Sequence, residues 1–116
     1  PKDIRRVVLC SGKIYYDLIE AQQKKKVKDT AIIRIEQLHP FPEKQLKSIL
    51  KRYKDTKLVW AQEEPANMGC LSYILRMMSK YELEIVSRKA SASPATGYSK
   101  VHKVEQEKIV SKALEI

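Results

Sequence analysis

Glycine, cysteine and long apolar runs are scarce in this sequence of 116 residues, and each scarcity excludes a class of protein. The three glycines form neither G-x-G-x-x-G nor GxxxxGK[ST], so no known glycine-rich fingerprint supports nucleotide binding. Its two cysteines, Cys10 and Cys70, lack the CxxC or Cys/His spacing of metal sites, and no recognisable motif ties His39 or His102 to them. We interpret both cysteines as small buried thiols rather than catalytic nucleophiles.

Apolar runs are short throughout the chain. None approaches the roughly 20 residues that a membrane helix requires. The charged start PKDIRR is followed by only four apolar residues, so we expect no signal peptide. A composition of 43% hydrophobic and 32% charged residues is typical of a soluble globular protein. The length suits one domain, which we take to span residues 1–116.

Positive charge is in excess. Lysine and arginine number 23 against 14 acidic residues, a formal net charge of +9 that favours anionic partners. The densest basic tract, Gln22–Lys28, follows a predicted helix and contains no aromatic residue to stack on bases, which indicates a solvated helix end. A stand-alone basic module that binds nucleic acid or phosphorylated ligands remains the alternative function.

Strand and helix patterns alternate along the chain. Apolar runs predict four strands: Arg5–Cys10, Thr30–Ile35, a third strand that begins at Leu58, and Leu83–Val86. Apolar stripes at helical spacing predict a helix after each strand, within Lys13–Gln23, Pro42–Tyr53, Leu71–Met78 and Val104–Leu114. Short connections then favour a three-layer α/β/α fold with a mainly parallel sheet. Right-handed crossovers give the strand order 2-1-3-4 and a change of winding between the first and third strands.

The stretch Leu58–Gly69 marks the predicted functional edge of the sheet. Its apolar start is typical of a buried strand, and we predict that it opens into a turn-forming loop at Glu63. Ligands gather at the carboxyl ends of strands in open α/β sheets, particularly at a switch point. There Ser11 and Gly12, after the first strand, would face four residues of this loop: Glu63, Glu64, Asn67 and Gly69.

The chemistry of this edge has two interpretations. Ser11 and Gly12 begin a helix and would either hold an anion through backbone N–H groups or simply cap the helix. Glu63 and Glu64 are adjacent, so on an extended backbone they diverge and cannot share a proton as a catalytic dyad. They would instead accept backbone N–H groups or contact a partner.

A predicted connection of fifteen residues, Arg88–His102, is longer than most in compact domains. Such loops carry function or are mobile. The candidate partner contacts within it are Arg88, Ser91, Ser93 and His102. No complete catalytic set is present in the sequence.

Four blocks carry a family resemblance: Arg6–Tyr16, Arg34–Pro42, Trp60–Gly69 and Ala90–His102. With RIEQL, QEEP and ASASPATG in this order, the chain resembles the C-terminal region of the E1 component of 2-oxoglutarate dehydrogenase. This implies a fold of the transketolase C-terminal type with four to five strands, the first of them antiparallel and preceding Arg6. The chain departs from the family pattern at two places: Ser87-Arg88-Lys89 stands where relatives commonly have Gly-Arg-Pro, and Leu71 stands where an aromatic residue is common.

The resemblance also implies a role. Thiamine diphosphate and Mg²⁺ would lie in preceding domains of the enzyme, so this domain would bind no cofactor or metal and would be inactive alone. Its partners would be the upstream E1 domains, a second E1 subunit, the E2 succinyltransferase and the E3 dihydrolipoamide dehydrogenase, in the bacterial cytoplasm or mitochondrial matrix. The substrate would be 2-oxoglutarate or a homologue such as 2-oxoadipate, with neither nucleic acid nor a membrane as partner.

Two arginines resemble those that bind an acetyl-CoA or AMP effector in some members of the family: Arg6, before the first strand, and Arg34, inside the second. An arginine in a strand as apolar as Thr30–Ile35 is costly without an anionic partner, which independently singles out Arg34. Because the two glutamates diverge, no nucleophile is apparent and the family resemblance places the active site elsewhere, we interpret the loop around Glu63 and Glu64 as a docking edge rather than an active-site rim.

Overall fold

Eight elements alternate along the chain in a computed structural model that describes residues 3–36, 40–88 and 99–116, with the backbone alone for 99–102. They are β1 (Arg6–Cys10), α1 (Ile14–Lys24), β2 (Thr30–Arg34), α2 (Glu43–Arg52), β3 (Lys57–Pro65), α3 (Leu71–Met77), β4 (Leu83–Arg88) and α4 (Ser99–Leu114). No helix in these ranges is long and apolar enough to cross a membrane.

The four described strands form one sheet in the order β2-β1-β3-β4, and every pairing is parallel. Arg6 pairs with Thr30 on one side and with Lys57 on the other, so the amino ends of the three strands lie level. The predicted α/β class and the strand order 2-1-3-4 are therefore confirmed. The fifth, antiparallel strand stays a prediction.

Strand β1 is central, and all five of its residues are buried. Because successive side chains point to opposite faces, Val8 and Cys10 pack on the face covered by α1 and α4. Val7 and Leu9 pack on the other face, with α2 and α3. The helices thus form a layer on each side of the sheet, as the alternation of elements predicts.

Strands β3 and β4 extend further than the sequence predicts. We expected a turn at Glu63, but β3 continues to Pro65, which pairs with Arg88 after an irregularity in register. The Ala66 N–H then donates to the Arg88 carbonyl at 3.1 Å. Strand pairing uses backbone groups, so it can continue through residues whose side chains are polar. The predicted carboxyl ends of β3 and β4 were too early for this reason.

The connection before α4 is also shorter than we predicted. Arg88 ends β4 rather than opening a loop, and α4 begins at Ser99, so His102 lies inside a helix. The prediction failed at both ends because a strand edge and a first helical turn tolerate the polar residues that also form loops.

Candidate functional site at the carboxyl edge

The turn after β1 brings α1 back against the sheet. Gly12 has a φ of +86°, a left-handed conformation that glycine adopts at low cost. The Tyr15 N–H donates to the Gly12 carbonyl at 3.3 Å, while no side chain caps the helix at Lys13. Ser11 and Gly12 therefore shape the turn and aim Lys13 towards the end of β3.

Glu63 lies across from this turn, on the face of the sheet that α1 covers. Its Oε1 is 3.6 Å from Lys13 Nζ, and its side chain is only 16% exposed. The structure thus brings the ends of β1 and β3 together through an ion pair between an exposed lysine and a largely buried carboxylate. This pair leaves Glu63 little freedom to serve as a general base or a metal ligand.

Glu64 points to the opposite face. Its side chain lies against Gly69, whose added Cβ would be 3.3 Å from Glu64 Cδ and Oε1. Cys70 is beside it: burial, with the Glu64 charge second, raises the pKa of that thiol. The two glutamates diverge as predicted and cannot act on one proton. Across the described ranges, no group of three or more His, Cys, Asp and Glu side chains is placed to hold a metal ion.

Gln62 organises this edge, and our sequence interpretation missed it. It is buried, and its Oε1 accepts a hydrogen bond of 2.9 Å from Trp60 Nε1. Its Nε2 donates to the carbonyls of Glu64, Pro65 and Met68 at 3.0–3.2 Å. One amide therefore fixes the path of the chain after β3. A polar residue directly after an apolar strand core is the signal that would have found it.

Arg34 forms a second cluster near this edge, with the tyrosines of α1. Its guanidinium carbon lies 5.6 Å and 5.2 Å from the ring centroids of Tyr15 and Tyr16, and its Nη1 donates to Tyr16 Oη at 3.1 Å. Tyr16 is 60% exposed. The buried Nε of Arg34 has no hydrogen-bond partner within the described residues. A partly exposed cation, 4.0 Å from Glu36 Oε1, thus lies beside an exposed ring.

Cys10 lies at the end of β1, close to Arg34. Burial raises the pKa of its thiol to about 12, against the opposing charge of Arg34. The thiol is therefore protonated at neutral pH and has little nucleophilic character. The prediction of two buried thiols is confirmed for Cys10 and is wrong for Cys70, which is only partly buried.

Arg6 lies at the opposite, amino end of the sheet and is 2% exposed. Its Nε and Nη2 donate to the carbonyls of Ala113 and Lys112 at 2.7 and 3.1 Å. Its Nη2 and Nη1 also contact the carboxylates of Glu84 at 2.7 Å and Glu115 at 3.1 Å. The guanidinium thus ties the end of α4 to the sheet. Effector binding by Arg6 stays a prediction.

The other candidate residues lie apart from one another. Arg88 is largely buried, and its Nε is 3.5 Å from Glu105 Oε2 on α4. Asn67 and Gly69 are exposed on the loop after β3. Ser91, Ser93 and the His102 side chain lie outside the described residues. The partner-contact hypothesis for Arg88, Ser91, Ser93 and His102 stays a prediction.

Comparison with solved structures gives the class of fold to which this domain belongs. A solved chain described as split gene transketolase, inactive beta4 tetramer, superposes with a TM-score of 0.62 at 17% identity. The match covers 96% of this chain and 39% of that chain. The protein is therefore an α/β domain with a fold that occurs in transketolase.

Sequence comparison then gives the family. A family model described as 2-oxoglutarate dehydrogenase C-terminal matches residues 1–114. The chain is 48% identical to the 2-oxoglutarate dehydrogenase E1 component of Coxiella burnetii over 100% of its length. It is 47% identical to the oxoglutarate dehydrogenase of Buchnera aphidicola over 99% of its length. The chain belongs to the 2-oxoglutarate dehydrogenase C-terminal family, and it spans 13% of the length of each of these relatives.

Proposed function

We propose that this chain is the C-terminal assembly and regulatory domain of a thiamine-diphosphate-dependent E1 component. That enzyme would oxidatively decarboxylate 2-oxoglutarate and transfer the succinyl group to the lipoyl group of E2, in the bacterial cytoplasm or mitochondrial matrix. The family match over residues 1–114 carries the proposal. No observation favours the nucleic-acid alternative, since Gln22–Lys28 ends a helix without aromatic neighbours in the tract.

Thiamine diphosphate and Mg²⁺ do not fit the carboxyl edge of this domain. Glu63 is paired with Lys13, and Glu64 lies on the other face of the sheet, so the two carboxylates cannot chelate one ion. The cofactor would be held by other domains of the enzyme, and the isolated domain would be inactive. Its own contribution would be structural: an exposed loop after β3, hydrogen-bonded to Gln62, that docks on the upstream domains and the second subunit of an E1 homodimer.

The experiment compares the intact protein with residues 1–116 alone. Both are assayed for 2-oxoglutarate decarboxylation with thiamine diphosphate and Mg²⁺, and again with 2-oxoadipate. We expect turnover by the intact protein and none by the isolated domain. Turnover by the domain alone, or an intact protein that ignores 2-oxoglutarate, contradicts the proposal. Co-purification with E2 and E3 tests the proposed partners.

Arg34 is the part of the domain best suited to an effector such as acetyl-CoA or AMP. A guanidinium is suited to phosphate, and the exposed Tyr16 ring offers a stacking face for adenine. In the intact enzyme, Arg34→Ala should weaken effector binding about tenfold or more in calorimetry. Arg76, which stacks on Tyr73 at 5.5 Å, provides the matched control Arg76→Ala. Equal affinity in both variants would make Arg34 structural.

A further inference from the structure

Helix α2 carries a line of lysines on its outer face. Lys44, Lys47 and Lys51 follow each other at spacings of three and four residues, so they share one side of the helix over about 10 Å. Arg52 and Lys54 add charge at its C-terminal end, and all five side chains are exposed. We call these five residues the α2 basic stripe.

No carboxylate of the described residues lies within ion-pair distance of the α2 basic stripe, although Glu43 precedes Lys47 by four residues and Asp55 follows Lys54. Arg5, Arg6, Lys13 and Lys57 each form an ion pair with a carboxylate, whereas no carboxylate of the described residues pairs with the stripe. Its lysines also repel one another, since like charges three and four residues apart destabilise a helix. A negatively charged partner would remove this repulsion.

The other basic tract differs in geometry. Lys24 and Lys25 share a groove with the acidic side chains of Asp17 and Glu20. Lys26 has a φ of +53°, so the chain turns within the tract and its lysines do not form one line. Of these two basic surfaces, the α2 stripe alone follows one side of a helix.

The surroundings of the stripe decide the chemistry of its partner. The apolar side of α2, with Leu46 and Leu50, is buried against the sheet and is unavailable for insertion into a lipid surface. Its exposed residues include no aromatic ring for stacking on bases. A second copy of this surface would add like charge. We propose that the α2 basic stripe docks an acidic segment of a partner protein, whose carboxylates pair with the lysines.

The test uses the intact protein and a fluorescein-labelled peptide of about six glutamates, which spans roughly 20 Å when extended. Anisotropy titrations at low and high salt compare the wild type with the triple variant Lys44→Gln, Lys47→Gln, Lys51→Gln. Loss of three exposed ion pairs should weaken binding roughly ten- to hundredfold at low salt. A triple Lys→Arg variant at the same positions keeps the charge and should bind normally.

The matched control removes the same charge elsewhere, with Lys24→Gln, Lys25→Gln and Lys28→Gln. We expect it to bind within about twofold of the wild type. Equal weakening by both triple variants would show that net charge alone acts, and the proposal fails. It also fails if the peptide does not bind at low salt, or if duplex DNA or anionic lipid vesicles bind more tightly through the same lysines.

Discussion

At the scale of single residues, two adjacent arginines show how burial sets the value of a charge. Arg6 donates to two carbonyls and contacts two carboxylates while almost fully buried. Arg5 contacts Asp29 and Glu115 from an exposed position. We predict that Arg6→Met lowers the free energy of unfolding by about 1–3 kcal/mol, because the carbonyls of Ala113 and Lys112 lose a charged donor. Urea denaturation measures the loss.

The control is Arg5→Met, which removes a neighbouring guanidinium from solvent-screened ion pairs. Its urea midpoint should stay close to that of the wild type. If Arg6→Met also leaves the midpoint near the wild-type value, water replaces the guanidinium and the clamp on α4 is not important for stability.

Gly69 is a second residue whose role depends on its neighbour. It has a φ of +70°, and an added Cβ would lie 3.3 Å from three atoms of Glu64. We predict that Gly69→Ala destabilises the domain by about 1–2 kcal/mol, from backbone strain and the displaced glutamate. Gly12→Ala, with a φ of +86° but open space around the Cβ, should cost less.

Adding Glu64→Ala to the Gly69→Ala variant separates the two causes. Most of the steric part should be recovered, because Cδ and Oε1 of Glu64 are removed while its Cβ stays, and the backbone part should remain. Denaturation of the single and double variants measures the difference. No recovery in the double variant would show that backbone strain accounts for the whole effect.

At the scale of elements, ion pairs link the amino ends of β1, β3 and β4. Burial opposes ionisation of Glu84, but hydrogen bonds from Lys57 and Arg6 prevail and lower its pKa. The hydrogen bond from Arg5 lowers the pKa of Asp29. A carboxyl group with a depressed folded-state pKa stabilises the fold above its unfolded pKa and ceases to do so as the pH falls through the folded value.

We therefore predict that the urea midpoint falls as the pH drops below about 4.5, the usual glutamate value. Glu84→Gln should lower the midpoint at neutral pH and flatten this acid dependence. Glu82→Gln, which removes an exposed carboxylate two residues away, is the control and should keep the wild-type profile. A Glu84→Gln profile as steep as that of the wild type would contradict the prediction.

The same elements show what the sequence could and could not predict. Local periodicity predicts β1 and its two buried faces, because Val7 to Cys10 are apolar whatever their partners are. The end of β3 depends on its pairing with Arg88, which lies 23 residues further along the chain than Pro65. The Arg6 guanidinium donates to the Ala113 carbonyl, which lies 107 residues further along the chain. No local pattern contains such contacts, so strand ends and buried polar partners were missed.

At the scale of the whole molecule, the two ends of the sheet differ. At the amino end, Arg5 and Lys57 pair with Asp29 and Glu84, and Arg6 donates to two carbonyls at the end of α4. At the carboxyl end, the Gln62 amide donates hydrogen bonds to three carbonyls, at the end of β3 and in the exposed loop that follows it. A loop that is rigid and exposed loses little conformational entropy on binding, which suits it for docking.

The proposed docking edge predicts different roles for its two glutamates. In the intact enzyme, Glu64→Gln should weaken subunit association about fivefold, because an exposed carboxylate at the interface is lost. The kcat per assembled enzyme should not change. Glu63→Gln is the matched control, since Glu63 is paired with Lys13 on the other face and should leave association unaltered. Sedimentation over a range of concentrations measures association, and decarboxylation assays measure kcat. Equal weakening by both variants would contradict the different roles of the two glutamates, and a fall in kcat with association intact would place the function of this edge in the chemistry rather than in assembly.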